Sequence, residues 1–231
     1  MGASRTDFEY DFTISQQKAD YADDAEIEAE LDELPDDDTV AETVANLEER
    51  GFEVVVVDNG AEALDEIESR IPAGVSVMNG HSTTLEEIGF DELLSEGDHG
   101  WESLPDQIWS IDDDAERQAA RRESQTADYF LGSVNAVATT GELVAADLSG
   151  SRIGAYPFAA GNVVIVTGTN KVVPTLDDAF DRLESVAYPL ENERAKEAYG
   201  VESAIAKQLV YRREPEEGRT TVVLVREQLG Y

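Results

Sequence analysis

The sequence predicts an α/β fold built on a mixed, mostly parallel β-sheet flanked by helices. Two observations carry that expectation. Short apolar runs rich in β-branched residues, "FEVVVV" at 52–57, "VSVM" at 75–78, Val163–Val166 and "TTVVLV" at 220–225, show no polar alternation, so both faces of each strand have to be covered. Between the first two lies a stretch with apolar residues at helical spacing, and strand, helix, strand in that order gives parallel pairing with helices on the faces.

Residues 1–38 hold fourteen acids and two bases with few apolar side chains. They are expected to form an acidic arm, partly disordered or helical, ahead of a single domain over 39–231. Thr39 and Glu42 have capping-box spacing, Val40, Val44 and Leu47 share a face, and Gly51 can close the turn, which predicts a helix over 39–50. The strand at 52–57 leads through "DNG" into a second helix carrying Ala61, Leu64, Ile67 and Ile71, stopped by Pro72. The strand at 75–78 runs into "NGHSTTLEEIG", residues 79–89. Two or three short helices follow over 90–126, with Arg117, Arg121 and Arg122 at helical spacing. Tyr129–Leu131 and Ala136–Ala138 read as strands, "TTGE" at 139–142 as a hairpin turn and "LVAADL" as the returning strand. Val163–Val166 ends in the loop "TGTNK", and Thr175 with Asp178 opens another helix. The tail is read as two helices, "LENERAKEAYG" and "ESAIAKQLV", before the last strand.

The charge balance narrows the function classes. Fifty-one acids against seventeen bases give a formal charge of −34, which repels nucleic acids and anionic membrane surfaces. Only four of the bases are lysines. Acid excess with arginine in place of lysine points to a halophile's high-salt cytoplasm, where screening at molar salt shortens the Debye length to about 3 Å. The acids are spread along segments that also carry apolar periodicity, which argues against a merely disordered chain. The absence of cysteine removes disulfides, thiolate metal sites and cysteine nucleophiles. Neither an apolar leader nor an apolar run of membrane-spanning length is seen, so no membrane association is expected.

The densest group of chemistry-bearing residues follows the strand at 75–78. Thr83 with Glu86, or Thr84 with Glu87, fits a capping box, and capping alone would account for them. Asn79, Gly80, His81 and Ser82 are left over at a strand end, where main-chain N–H groups and a helix dipole favour an anion. Residues 79–83 are therefore ligand-binding candidates, and His81 is a catalytic candidate as well. Lys171 follows the strongest strand of the second half, on a loop with Gly168 and Asn170. Its ammonium can meet a carboxylate or phosphate, or form a Schiff base if desolvated; a surface lysine is the plain alternative. Arg152 is a second anion clamp, with Asp147 to orient it. The small-residue stretch 132–146 adds Asn135, Thr139, Thr140 and Gly141 as ligand-binding candidates. Glu142 at the hairpin tip is a candidate base or nucleophile, against the ordinary role of a solvated turn acid. The arginines at 117–122 either pair with neighbouring acids such as Asp113 or contact an anion. No dinucleotide fingerprint, Walker loop, G-x-S-x-G elbow or H-E-x-x-H occurs, and no metal site is expected.

Two stretches, "NGHSTTLEEIGFDELL" and "SVNAVATTGELVAADLSGSRIGAYPFAAGNVVIVTGTNKVVPTLDDAFDRL", resemble the lactate utilization (LUD) domain, an α/β family named for bacterial operons that oxidise lactate to pyruvate. Larger members carry K-S-M-x-x-E-E-I-G, matched here at Ser82, Glu86, Glu87, Ile88 and Gly89. They also carry A-x-T-G-T-L-V, where this chain has "ATTGELV" with Glu142 in place of a threonine. The resemblance covers about residues 40–230. It implies a fold similar to the CoA transferase and ribose-5-phosphate isomerase superfamily, whose enzymes bind small acidic metabolites at strand ends, although such kinship does not carry the chemistry. It implies the short, cysteine-free form, with no cofactor on this chain and an iron–sulfur or flavin group only on a partner protein. The leading expectation is a component of a lactate-oxidising system that binds a small carboxylate or phosphorylated metabolite. The alternatives are a stand-alone transferase or isomerase acting on acyl-CoA or a phosphorylated substrate, and a noncatalytic subunit of an iron–sulfur oxidoreductase. The sequence leaves the oligomeric state open, with a homodimer among the assemblies it allows.

Overall fold

A computed structural model describes residues 17–97 and 99–231; residues 1–16 of the expected arm lie outside them. The first helix, α1 (Asp37–Glu49), starts earlier than its capping-box pattern suggests, because Asp36 is the cap: its carboxylate accepts from Thr39 N at 2.8 Å. β1 (Glu53–Val57) follows, then α2 (Gly60–Arg70), capped by Asn59. Next come β2 (Ser76–Asn79), α3 (Thr83–Glu87), α4 (Phe90–Glu96), β3 (Glu102–Ser103), α5 (Leu104–Trp109) and α6 (Asp114–Glu123). The second half holds β4 (Tyr129–Gly132), β5 (Ala136–Ala138), β6 (Leu143–Asp147), β7 (Asn162–Gly168), β8 (Val172–Val173), α7 (Leu176–Arg182), α8 (Tyr188–Tyr199), β9 (Lys207–Tyr211) and β10 (Thr220–Val225).

The fold is α/β, with its strands divided between two sheets. Six strands in the order β1-β10-β7-β4-β2-β3 are all parallel, and four more, β8-β5-β6-β9, form a second sheet of mixed direction. Side-chain alternation explains the layering. Val163, Ile165, Val222 and Leu224 face the second sheet and α1, while Val164, Val166, Val223 and Val225 face α2, α3 and α4. The second sheet has two covered faces as well: Val137, Leu143 and Ala145 point to the first sheet, and Ala136, Val144 and Ala146 to α7. Each fully buried valine, leucine or isoleucine contributes roughly 1.5–3 kcal/mol, so the uninterrupted apolar runs are what a four-layer packing requires.

One expected element differs in kind. Residues 202–210 read as a helix but form an extended lead and β9, paired antiparallel with β6. Leu209 and Tyr211, two apart, both pack on the core between the sheets, and that period of two prevails over the helical propensity of the alanines. The expected capping box at Thr175 and Asp178 does open α7. The described part of the acidic segment lies against the domain, with Tyr21 packed on Val186 and Leu190 and Asp32 buried. Among the described residues no helix is long and apolar enough to cross a membrane.

Candidate functional site

Because β2, β4, β7 and β10 are parallel, their carboxyl ends share one edge of the sheet, which is where open α/β sheets bind ligands. A cleft of about 1130 Å³ opens there. Its walls include residues 79–84 after β2, Ser133 and Asn135 after β4, Asp147 and Arg152 after β6, Asp91 of α4, and Glu191 and Arg194 of α8.

The loop after β2 spans the two sides of this cleft. On one side the Asn79 amide donates to Asp91 Oδ1 at 2.7 Å. On the other, Gly80 lies so close to Arg152 that an added Cβ would meet the Arg152 Cγ at 2.7 Å, which leaves glycine as the residue that fits. Asp147 Oδ2 accepts from the main-chain N–H groups of Arg152 and Ile153 at 3.0 and 2.9 Å, and the Arg152 guanidinium donates to Ala146 O at 2.6 Å. Arg194 is held by a two-point ion pair with Glu191, both contacts 2.8 Å, and stacks over Tyr199. The Tyr231 hydroxyl donates to the same Glu191 at 2.9 Å. Arg152 Nε and Arg194 Nη1 are buried N–H groups with no hydrogen-bond partner in the structure.

His81 faces the cleft rather than the core. His81 is exposed to the cleft's solvent; its surroundings disfavour the charged form, and Arg194 and Arg152 add repulsion that Glu191 only partly offsets, so its pKa is lowered. At neutral pH it presents an uncharged imidazole. Asp91 is displaced the other way: burial first, then the nearby Glu86, raise its carboxyl to about 7 against the Asn79 hydrogen bond. Among the residues lining the cleft are thus the Arg152 and Arg194 guanidiniums, a neutral imidazole and a carboxyl that can gain or lose a proton near neutrality.

The expected site residues fall into three places. Asn79, Gly80, His81, Ser82, Thr83, Asn135 and Arg152 line the cleft. Ser82, rather than Thr83 or Thr84, caps α3, its Oγ accepting from Leu85 N at 3.4 Å; the helix is five residues long, so the arginines supply most of the positive field. Gly168, Asn170 and Lys171 lie beneath the cleft. Asn170 is fully buried, donating to Asp32 Oδ1 at 2.8 Å and accepting from Leu229 N at 3.1 Å. Lys171 is 1 % exposed and its Nζ is enclosed by Thr84 Oγ1 at 2.9 Å and Ser133 Oγ, Val134 O and Tyr231 O, each at 3.2 Å. Burial first and then the Arg182 charge hold its pKa well below the usual lysine range. It braces three strand-end segments against one another and is shut off from a substrate carbonyl.

Thr139, Thr140, Gly141 and Glu142 are at the far tip of the β5–β6 hairpin. A three-residue strand advances about 10 Å, so the hairpin that brings Asn135 and Asp147 to the cleft carries its turn away from it. There Glu142 is buried on Arg50 at 2.7 Å and accepts from the Thr140 hydroxyl at 2.5 Å, beside a shallow pocket of about 350 Å³ lined by Arg50, Arg212 and Arg213. The helical arginines have separate partners: Arg117 pairs with Asp114, and Arg121 sits 5.9 Å from the Trp109 ring centroid. Asp91, Glu191, Arg194 and Tyr231 were not legible as site residues, since each reads as an ordinary helix-surface or tail position.

A family model described as the LUD domain matches residues 40–225. The chain belongs to the LUD-domain family. That family is generally associated with lactate utilization. No curated protein matches this LUD-domain chain. Among solved structures, a crystal structure of a DUF162 family protein from Deinococcus radiodurans is similar, at 12% identity and a TM-score of 0.49, covering 84% of this chain and 99% of that one.

Proposed function

We propose that this LUD-domain protein binds a small carboxylate such as lactate or pyruvate in the strand-end cleft, as a component of a lactate-oxidising system. The observation that carries the reading is the pair of arginines, Arg152 and Arg194, lining one cleft with a buried N–H on each left unpartnered. Unpaired buried donors are costly, and a carboxylate reached by a small shift of either guanidinium would satisfy them. Oxidation of a 2-hydroxy acid to a 2-oxo acid releases two electrons and two protons. The chain has no cysteine, so a thiolate-held iron–sulfur acceptor would belong to a partner protein.

Calorimetric titration of lactate and pyruvate in molar KCl tests the reading. The wild type gives saturable binding, and Arg152→Gln weakens it roughly 10- to 100-fold, the worth of hydrogen bonds to a charged group. Gly80→Ala, which displaces the Arg152 stem, weakens it in the same direction. Unchanged affinity in both variants would sink the proposal.

A second reading, a stand-alone acid–base enzyme of the transferase or isomerase type, is favoured by Asp91, whose pKa near 7 suits proton transfer; Glu142, committed to Arg50, does not take that part. We also propose a salt-rich cytoplasm, from the charge of −34. Self-repulsion of that charge is screened by salt, so the melting temperature rises from dilute buffer to molar KCl, and a flat response would contradict the assignment.

A further inference from the structure

The cleft is far larger than a three-carbon acid needs. Its volume of about 1130 Å³ exceeds the roughly 300–1,000 Å³ that holds most drug-sized ligands. Its lining also divides by chemistry. Arg152, Arg194 and His81 stand in its polar part beside acids such as Asp91, Asp147, Glu191 and Glu202, while Trp109, Leu148 and Val201, which line the same cleft, remain 42 %, 48 % and 39 % exposed. Among the described residues only five large apolar side chains are exposed, and three of them border this one opening. Scattered singly, such residues need no explanation; gathered around a cleft with charged anchors, they mark an apolar contact that is made only when the ligand arrives. Trp109 carries the Arg121 guanidinium over its ring, 5.9 Å from the centroid, and still leaves 42 % of its surface exposed at the cleft.

We propose that the cleft takes an elongated amphiphilic anion: a carboxylate held by Arg152 and Arg194, carrying an unbranched alkyl chain that lies against Trp109, Leu148 and Val201. This deepens the carboxylate-binding reading and rests on it. Lactate and pyruvate would then occupy only the charged end, and a longer acyl or hydroxyacyl acid would fill the whole.

The test is a titration of the full chain in molar KCl with propanoate, hexanoate and decanoate, each below its aggregation threshold. Affinity rises along the series by roughly two- to fourfold per methylene, the upper figure being that of a fully buried CH₂. Replacing two exposed rim residues together, Leu148→Ser with Val201→Ser, lowers the ratio of decanoate to propanoate affinity roughly tenfold without touching the folded core. Equal affinity for the three acids, or a ratio unmoved by the double variant, overturns the amphiphile and leaves the carboxylate reading standing. Absence of binding by all three overturns both.

Discussion

Asp32→Ala is expected to cost about 3–5 kcal/mol of folding stability, the usual consequence of removing one partner from a buried ionic cluster. Asp32 is one of fifty-one acids and lies in a carboxylate-rich segment, yet it is only 3 % exposed. Its oxygens meet Lys18, Arg182 at 2.6 Å, the Asn170 amide at 2.8 Å and the Gln228 amide at 2.8 Å. Burial alone would raise its carboxyl; Lys18 and Arg182 outweigh that and hold it below the usual range. Alanine would strand Arg182, which is wholly buried, with the Asn135 carbonyl as its remaining partner. Denaturant unfolding in molar KCl, with the exposed Asp38→Ala as reference, checks this. A loss no greater than the roughly 0.5 kcal/mol of a surface change would mean the cluster is not holding the acidic segment to the domain.

Asp91→Asn is expected to stabilise the protein above neutral pH and to do nothing in acid. The sign follows from proton linkage. The folded-state pKa of Asp91, about 7, lies above its unfolded value, so the folded chain binds the extra proton between those limits and stability falls as pH rises through them. Below pH 4 both states are protonated and the variant matches the wild type. Above pH 7 the wild type carries a crowded carboxylate beside Glu86, and asparagine removes that penalty while still accepting from Asn79. Solvent in the cleft screens part of the effect, which leaves about 2 kcal/mol at pH 8. Melting curves of both proteins across pH 4 to 8 give the difference directly. A gap that does not widen with pH would show that Asp91 titrates as an ordinary surface acid.

The strand order could not be read from the chain, but the strands could. "NVVIV" and "TTVVLV" have a single physical solution, burial on both faces, whereas pairing of β1 with β10 and β10 with β7 depends on contacts between residues well over fifty positions apart. Division into two sheets was illegible for the same reason, since hairpin β5–β6 looks identical in sequence whether it joins the first sheet or packs over it. The site was legible where residues follow a strand directly. Asn79 to Thr83 line the cleft because the end of β2 carries them there. Thr139 to Glu142 lie outside the cleft lining, and a small-residue turn gives no sign in sequence of which end of its hairpin faces the strand ends. Lys171 stands out in the sequence by its rarity, and the structure gives it a buried role: its compact ammonium, with three donors, bridges Thr84, Ser133 and two carbonyls. Arg194 had no sequence signal, since a glutamate three residues before an arginine is what any helix surface offers.

A crystal structure determined in molar KCl after soaking with pyruvate would locate the bound anion. The expected result is a carboxylate within hydrogen-bond distance of both Arg152 and Arg194, with His81 beside it and the 139–142 turn untouched. An ordered pyruvate at the Arg50, Arg212 and Arg213 pocket with the strand-end cleft empty would contradict it.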